Sequence, residues 1–490
     1  MIKKQIKTII ILAVTVLVLL VAYFLLKPVL FPNESADVER AEYDKDGDRL
    51  GSGDRPYIYD IIDRTQIAKI EVHSQENDFS LRYDTVAGDF VLDGFEMLTL
   101  DEEKTSYLYV NTCNMLAITK VENPSDDLLE YGLPGGVSEN YFTVKQTDGS
   151  ENTVYVGSLL PTGAAFYCKS ADKPHIYVID TMVRDYVFIE PATLILPMVA
   201  PPLEPQARYN IQDVKIIRNG ELFVSFENIT DKGQKEDYSI SHKIVHPEGY
   251  MTDQEYLDTI LSKLCSFTGT QVAEYNIPEE KMKEIFEKYG FISPSCEILY
   301  TYGDKEYRVV FGNKTEDGSS VYALNMSQRI ICTVPLSEIP FIENDFIKFV
   351  DSYFFQMDID NVQSIRVTSK QHDETFVVSG EDDALSIKRA SNGALVDIES
   401  FKQFYIDILL MKLEDYASTP EVPAEILSYT ITSKNGNVFE YRFYDLTTRK
   451  VFFTSNGVGQ FYCNRDTVDN IIENLAKLLR GEKVVSSVLK

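Results

Sequence analysis

A short pattern of apolar and polar positions occurs three times along the chain. Residues 67–72, 214–217 and 362–367 (IAKIEV, VKII and VQSIRV) carry the same apolar motif, and their starts lie 147 residues (214 − 67) and 148 residues (362 − 214) apart. Further short runs rich in β-branched and aromatic residues follow each motif, which is typical of strands. The pattern therefore predicts three tandem repeats that each begin with strands.

Helix signals follow these strands at comparable distances. Thr99-Leu-Asp-Glu102 and Thr252-Asp-Gln-Glu255 have the capping-box pattern, and Asp397 is a simple N-cap in the third repeat. The caps lie 32, 38 and 35 residues after the motif starts (99 − 67, 252 − 214, 397 − 362). A second, short helix that ends at Gly132 or Gly290 is predicted in the first two repeats and is missing from the third.

Each repeat ends in a predicted series of hairpins. The turn residues are Asp148-Gly149, Gly303-Asp304 and Asn435-Gly436 in the first turn, and Gly163, Asp317-Gly318 and Asn456-Gly457 in the second. A tyrosine follows the second turn in each repeat, Tyr167, Tyr322 and Tyr462, and we interpret it as a cross-strand packing residue. One repeat is thus predicted as β-β-β-α-(α)-β-β-β-β, an α+β fold with mostly antiparallel sheets.

An uncharged run of 19 residues, residues 8–26, precedes the repeats. As a helix it would span roughly 28 Å, close to the hydrocarbon core of a bilayer. Lys3, Lys4 and Lys7 precede the run and only Lys27 follows closely, so we expect a cytoplasmic N-terminus and extracytoplasmic repeats. A cleaved signal peptide is the alternative, but its apolar region is usually about 7–15 residues long. We therefore predict an uncleaved, single-pass signal anchor in the cell membrane.

The predicted organisation has six parts. They are a cytoplasmic N-terminus (1–7), a transmembrane signal anchor (8–26), a flexible linker (27–56) and three repeats (57–205, 206–355 and 356–490). Asp44, Asp46 and Asp48 in the linker have the spacing of a calcium loop, but Arg49 and Arg55 stand where that loop needs glycine and glutamate. We therefore interpret this stretch as a solvated acidic linker.

Composition limits the possible partners. The net charge of −29 over 490 residues argues against nucleic acid. Hydrophobic residues make up 44% of the chain, which fits folded globular domains.

The hairpin regions resemble a known family. The relevant segments are Leu129-Glu-Tyr-Gly-Leu133, Val154-Tyr-Val-Gly157, Phe166-Tyr167, Lys288-Tyr-Gly-Phe291 and Val309-Val-Phe-Gly312. They resemble the DUF4340 family, a domain of unknown function in bacterial envelope proteins, and the resemblance extends over most of residues 60–480. It implies one N-terminal transmembrane segment and association with ABC transporters, similar to the auxiliary proteins of gliding-motility transport systems. It implies no catalytic residue.

Histidines and cysteines give no catalytic or metal-binding pattern. His242 and His246 are four residues apart, but their surroundings predict strand and turn, so we expect two exposed histidines rather than metal ligands. The six cysteines, Cys113, Cys168, Cys265, Cys296, Cys332 and Cys463, form no C-x-x-C pair. Cys168 and Cys463 match in position, with Ala323 in the second repeat, which favours free buried thiols while disulfides stay open.

The proline-rich segment 191–205 (PATLILPMVAPPLEP) joins the first two repeats. We interpret it as a strap packed against its neighbours. The alternative is an exposed apolar patch for a membrane partner.

The repeats share apolar positions and turns but no polar residue, which favours a scaffold over a catalyst. We expect a non-enzymatic, membrane-anchored binding or scaffold protein that is an auxiliary component of an ABC-type transport system, with a membrane protein such as a permease as its partner. The alternatives are a stand-alone structural or adhesive envelope protein and an enzyme acting on envelope polymers. The sequence assigns no catalytic, cofactor-binding or metal-ligating residue and leaves the ligand-binding residues open.

Overall fold

The computed structural model describes residues 42–61, 63–238 and 240–486. The chain divides into two compact units, of which the first ends at Leu194 and the second begins at Ile195 and also includes Met97–Thr99. The first unit contains the first repeat, and the second unit contains the other two. The predicted cytoplasmic segment 1–7 and anchor 8–26 lie outside the described residues. Within the part that the structure describes, no helix has the length and apolar character required to cross a membrane.

The first repeat is built on one eight-stranded sheet. Its elements are β1 (Tyr57–Asp60), β2 (Ile67–His73), β3 (Asp78–Asp84), β4 (Asp89–Leu92), α1 (Glu102–Cys113), β5 (Asn114–Leu116), β6 (Thr119–Lys120), β7 (Tyr141–Gln146), β8 (Glu151–Leu159), β9 (Ala165–Ser170), β10 (Ile176–Asp180) and α2 (Met182–Tyr186). The sheet order is β4-β3-β2-β7-β8-β9-β10-β6, and β1 pairs separately with β5.

The second repeat has the same sheet. Its elements are β11 (Ile211–Arg218), β12 (Glu221–Asn228), α3 (Lys232–Tyr238), β13 (His242–His246), α4 (Gln254–Cys265), β14 (Gln271–Glu274), α5 (Met282–Tyr289), β15 (Cys296–Tyr302), β16 (Lys305–Lys314), β17 (Ser320–Asn325) and β18 (Ile330–Pro335). The sheet order is β13-β12-β11-β15-β16-β17-β18-β14.

The third repeat repeats the arrangement once more. Its elements are β19 (Val362–Ser369), β20 (Asp373–Ser379), β21 (Ser386–Arg389), α6 (Ile398–Leu409), β22 (Leu413–Tyr416), β23 (Glu425–Ser433), β24 (Val438–Asp445), β25 (Lys450–Ser455), β26 (Val458–Asn464) and α7 (Arg465–Arg480). The sheet order is β21-β20-β19-β23-β24-β25-β26-β22.

Within each repeat the eight sheet strands therefore lie in the order 3-2-1-5-6-7-8-4, and neighbouring strands are antiparallel. The main helix (α1, α4 or α6) connects strand three at one edge to strand four at the other, so the chain crosses a face of the sheet. In α4, Leu257, Ile260, Leu261 and Leu264 are buried, which is the i, i+3, i+4, i+7 spacing of one apolar face. The predicted α+β fold with three antiparallel repeats is confirmed.

Strand four of each sheet is absent from the layout predicted from the sequence. This strand is β6, β14 or β22, and it is only two to four residues long. A strand this short has no alternating pattern of apolar and polar residues. It forms because it pairs with strand eight, which is distant in sequence. The predicted layout of seven strands is therefore corrected to eight.

The register of the second repeat also differs from the prediction. The buried residues of the first strands are Ile67, Ile70 and Val72 in β2, Ile211, Val214 and Ile216 in β11, and Val362, Ile365 and Val367 in β19. Val214 is thus the equivalent of Ile70, not of Ile67. The true spacings are 144 residues (214 − 70) and 151 residues (365 − 214).

The main helices are capped by aspartates. The side chain of Asp101 accepts from the amides of Glu103 and Lys104, and that of Asp253 accepts from the amide of Tyr256. The predicted threonine caps at Thr99 and Thr252 were therefore wrong, because Thr252 Oγ1 instead accepts from the amide of Ile244 at 2.9 Å. The prediction for Asp397 is confirmed, since its carboxylate accepts from the amide of Ser400.

The tyrosines in the hairpin regions match in two repeats only. Tyr167 lies in β9 and Tyr322 in β17, both of which are strand seven, whereas Tyr462 lies in β26, which is strand eight. The Asn456-Gly457 turn is accordingly the third turn of its repeat, and Cys463 is not the equivalent of Cys168. Tyr167 and Tyr322 pack edge-on against tyrosines of the preceding short helical turns, Tyr131 at 5.0 Å and Tyr289 at 4.6 Å between ring centroids.

The proline-rich segment 191–205 divides between the two units at Leu194 and Ile195. In the second unit the amide of Val199 donates to Phe267 O and that of Leu203 donates to Cys265 O, both at 2.8 Å. Leu194, Ile195, Met198 and Val199 are all buried. The segment is therefore a packed strap, and the alternative of an exposed apolar patch is wrong.

The second and third repeats are joined by a buried polar contact. Asp237, at the end of α3, is 1% exposed and belongs to the second repeat. Its carboxylate accepts hydrogen bonds from Asn435 Nδ2 at 3.0 Å and from Asn437 Nδ2 at 2.6 Å, both in the β23–β24 turn. Ser433 Oγ donates a third hydrogen bond at 2.6 Å. Because every donor belongs to the third repeat, this carboxylate fixes α3 against the next sheet.

Candidate functional site

A cleft lies at equivalent positions in the first and second repeats. In the first repeat it has a volume of about 260 Å³ and is lined by Ser74, Asn140, Gly157, Phe166 and Arg184, among others. Its walls come from the hairpin after strand one, the residues before strand five, the glycine of strand six, the start of strand seven and the segment after strand eight. The shared strand order therefore creates the cleft.

The cleft in the second repeat is larger, about 470 Å³. Its lining residues are Arg218, Asn219, Ser295, Gly312, Asn313, Lys314, Val321, Leu336, Ile342 and Glu343. Lys314 Nζ lies 2.6 Å from Glu343 Oε1, so these two charges compensate each other. Arg218 is the remaining charged residue of the lining, and the cleft therefore has an excess positive charge in a strongly acidic chain.

Three contacts hold the side chain of Arg218. Its guanidinium carbon lies 3.6 Å from the centre of the Phe223 ring, which is a close cation–π contact. Its Nη2 donates to Phe341 O at 2.8 Å and to Asn344 O at 2.7 Å. Both acceptors are neutral carbonyl groups, so the positive charge of Arg218 remains uncompensated by these contacts.

Arg218 has no ion pair with a carboxylate among the described residues. Its Nε is buried and has no hydrogen-bond partner there, and no hydrogen bond joins its Nη1 to another described residue. Burial lowers the pKa of the guanidinium from its ordinary value. An arginine nevertheless stays protonated in proteins, so the cleft contains a fixed positive charge.

The residue equivalent to Arg218 is a serine in the other two repeats. Ser74 Oγ accepts from the amide of Asn77 at 2.9 Å, and Ser369 Oγ accepts from the amide of His372 at 3.2 Å. Each serine thus closes its own four-residue hairpin loop. In the second repeat, Asn219 and Gly220 adopt φ values of +49° and +82° and form a two-residue turn. The backbone conformation of these two residues closes the turn without a serine side chain. The position before the turn is occupied by Arg218.

The first-repeat cleft has a different charge arrangement. Arg184 Nε lies 3.1 Å from Asp185 Oδ1, and its guanidinium lies 6.0 Å from the centre of the Phe166 ring. Glu76 adds an exposed carboxylate to the lining. The first cleft therefore lacks the uncompensated arginine of the second.

The acidic segment before the first repeat surrounds a lysine. Lys120 Nζ lies 2.6 Å from Asp44 Oδ2, 3.2 Å from Asp46 Oδ2 and 2.6 Å from Asp48 Oδ2. Asp44 Oδ1 also accepts from the amides of Asp46 at 2.9 Å and Asp48 at 2.8 Å, as in a tight loop. An ammonium group thus occupies the position that a cation would take in a calcium loop. Across the described ranges, no group of three or more His, Cys, Asp or Glu is arranged to hold a metal ion.

Asp48 connects this loop to the sheet. Its carboxylate accepts from Lys173 Nζ at 2.6 Å and from Tyr177 Oη at 2.7 Å. Burial raises the pKa of Asp48, but the hydrogen bonds from Lys120, Lys173 and Tyr177 outweigh burial and lower the pKa below its ordinary value. Residues 42–56 therefore have defined contacts with the first repeat, which the prediction of a flexible linker did not anticipate.

The histidine prediction holds for only one of the two residues. His246 is exposed, but His242 is fully buried. His242 Nε2 lies 2.8 Å from Ile211 O and its Nδ1 lies 2.8 Å from Ser241 Oγ. Burial lowers the pKa of His242, so this imidazole is a neutral packing residue. The prediction that both histidines are exposed was wrong.

All six cysteines are free and buried, as predicted. Burial raises the pKa of Cys113, Cys296 and Cys332 to about 12 in each case. Thiols with such pKa values are unreactive at neutral pH, because the thiolate is the nucleophile.

Sequence reasoning found no binding residue, and Arg218 shows why. It lies next to an Asn-Gly turn, so in sequence it has the pattern of an ordinary hairpin residue. Its partners Phe341 and Asn344 are more than 120 positions away in the chain. A signal was nevertheless available, since the correct register aligns Ser74, Arg218 and Ser369.

Comparison with known proteins gives one match. The model of the family described as Domain of unknown function (DUF4340) matches residues 243–428. The matched segment begins in β13 of the second repeat and ends in β23 of the third. No curated protein and no solved structure matches the chain.

Proposed function

Because residues 243–428 carry a DUF4340 domain, we propose that this chain is a membrane-anchored, extracytoplasmic binding scaffold. It works as an auxiliary component of an ABC-type transport system. The anchor is the apolar segment 8–26, and the three repeats are held outside the membrane. The clefts of the first and second repeats are the ligand-binding positions.

The observation that carries this proposal is the recurrence of the cleft at the same strand positions in two repeats. The two clefts occupy the same position because the repeats share their strand order, but their lining residues differ. The first-repeat cleft contains Ser74 and Arg184, whereas the second-repeat cleft contains Arg218 and Lys314. Such variation on a constant framework is typical of binding modules, in which function depends on the site rather than on the fold.

Co-purification tests the proposal. The full chain with a C-terminal affinity tag is expressed in its natural host, crosslinked in the membrane and purified in mild detergent. We expect mass spectrometry to identify an ABC permease or ATPase. A control chain in which residues 1–30 are replaced by a cleavable signal peptide should recover much less of either subunit. Recovery of neither subunit with the anchored chain would overturn the transport assignment.

A second candidate is a stand-alone structural protein of the envelope that uses its repeats as a spacer. The buried contact between Asp237 and the β23–β24 turn favours it, because a spacer needs fixed joints between repeats. In the same experiment, recovery of envelope polymer or of no specific partner would support this second function.

A further inference from the structure

We propose that the second-repeat cleft binds the carboxylate of a small organic acid that also carries an apolar group, with Arg218 as the carboxylate-binding residue. This inference rests on the proposed binding function and names the ligand class for one of the two clefts.

The charge of the cleft favours an anionic ligand. Glu343 neutralises Lys314 at 2.6 Å, and no carboxylate of the described residues pairs with Arg218. Glu343 and Asp345 attract this guanidinium electrostatically but form no direct ion pair with it. A partly buried charge without a direct ion pair is costly, since burial removes its hydration. A ligand carboxylate would supply that ion pair.

The orientation of Arg218 leaves a donor for that carboxylate. The carbonyl groups of Phe341 and Asn344 both bind Nη2, and Phe223 packs against the guanidinium plane. These contacts hold the side chain in place without using Nη1. A guanidinium that is already oriented loses little entropy when it binds a carboxylate, and hydrogen bonds between charged groups are the strong ones.

The remaining walls define the rest of the ligand. Val321, Leu336 and Ile342 are apolar, whereas Asn219, Ser295 and Asn313 are polar. The volume of about 470 Å³ lies in the usual range for small-molecule sites. The cleft thus suits an acid with a branched apolar group and a polar group beside it.

Comparison with the other two repeats indicates that the hairpin can fold without an arginine at the position of Arg218. Ser74 and Ser369 occupy the equivalent position and close their own loops. Asn219 and Gly220 close the loop of the second repeat through their backbone conformation. Arg218→Ser therefore restores the residue of the other repeats and is the natural test variant.

Three probes test the ligand class by isothermal titration calorimetry on the full chain in detergent. N-acetyl-leucine carries a carboxylate, an amide and an apolar group, N-acetyl-leucinamide lacks the carboxylate, and 4-methylpentanoate lacks the amide. We expect N-acetyl-leucine to bind at least tenfold more tightly than N-acetyl-leucinamide. Weaker binding of 4-methylpentanoate than of N-acetyl-leucine would support recognition of the ligand's polar group by the polar wall, and equal binding would show that the carboxylate and the apolar group are sufficient.

Two variants and one control locate the site. Arg218→Ser should weaken binding of N-acetyl-leucine at least tenfold, whereas Arg366→Ser, which removes an exposed arginine paired with Asp373 at 2.9 Å, should leave binding unchanged. Leu336→Glu places a carboxylate in the cleft wall without removing Arg218, and it should also weaken binding of the acid. The Leu336 variant keeps the test decisive if Arg218→Ser fails to fold.

Equal affinity for the acid and its amide, binding that is unaffected by both cleft variants, or no binding of either acid would overturn this inference. Recovery of the transporter subunits in the co-purification does not depend on these titrations. Failure of the ligand assignment and failure of the proposed function are therefore distinguishable.

Discussion

Gly312 in β16 lies directly beneath the backbone carbonyl of Tyr289 at the end of α5, where any Cβ would collide with the oxygen. Gly157 has the same relationship with the carbonyl of Tyr131 in the first repeat. The glycine in strand six thus allows the preceding helical turn to pack on the sheet. The third repeat, which lacks this helix, has Tyr444 at the equivalent position.

Gly312→Ala should destabilise the second repeat. The added methyl group forces the end of α5 away from β16, and such overpacking costs about 1–3 kcal/mol. Urea denaturation of the full chain measures the loss, and Lys305→Ala on the exposed end of the same strand is the control. Equal stability of Gly312→Ala and the control would contradict the packing role of this glycine.

Asp237→Ala should weaken the joint between the second and third repeats. The change removes the shared acceptor of the buried Ser433 hydroxyl and of the Asn435 and Asn437 amides, and one unsatisfied buried group costs about 1–3 kcal/mol. We expect faster amide hydrogen exchange in the β23–β24 turn. Glu236→Ala, on the same helix but paired with Lys232 at 3.6 Å, should leave the exchange rates unchanged. Unaltered exchange in the Asp237 variant would show that the joint does not depend on this carboxylate.

The Asp44–Asp48 loop should be stable at neutral pH and detach in acid. The hydrogen bonds of Asp48 with Lys120, Lys173 and Tyr177 outweigh burial, and its pKa lies below the ordinary 3.8. A carboxylate whose pKa is lowered on folding stabilises the fold above its unfolded pKa, and this contribution is lost as the pH falls through the folded pKa. Amide exchange in residues 44–50, corrected for intrinsic rate, should therefore rise below pH 3.8.

Lys120→Met should detach the same loop at neutral pH, because three aspartates would then lack their shared ammonium group. Lys145→Met is the matched control, since Lys145 pairs with Glu71 at 2.9 Å on the sheet surface away from the loop. Amide hydrogen exchange of residues 44–50 measures the difference between the two variants. Equal exchange rates in both variants would rule out Lys120 as the centre of the loop.

The segment matched by the family model should not fold alone. Residues 243–428 contain β13 without β11 and β12, and they end within β23, before β24–β26. Two sheets are therefore cut, because β15 loses β11 and β23 loses β24, and the edge strands β13 and β22 lose their partners β12 and β26. We expect the fragment to lack cooperative thermal unfolding by circular dichroism, whereas residues 195–490 should unfold cooperatively. Cooperative unfolding of the shorter fragment would show that the domain boundary follows the family model rather than the sheets.

Local chemistry made much of the fold predictable. The left-handed conformations at Gly132 and Gly290, the cap at Asp397 and the burial of all six thiols depend on neighbouring residues or on simple hydrophobicity. The errors arose where a partner distant in sequence decides the structure. Val214 was assigned the wrong register, and Tyr462 was assigned the wrong strand, because short apolar motifs align in several ways and only strand pairing selects one.

The sequence by itself determined three repeats of strands followed by a helix, since apolar periodicity and turn residues act over a few positions. The tertiary structure alone decided that the short fourth strand reaches the opposite edge of each sheet, that Lys120 occupies the centre of an acidic loop, and that Arg218 lines a cleft without a direct ion pair among the described residues. Each of these three features depends on residues that are distant in sequence and meet only in the folded chain. Burial then determines how strongly their charges and hydrogen bonds contribute to the free energy of folding.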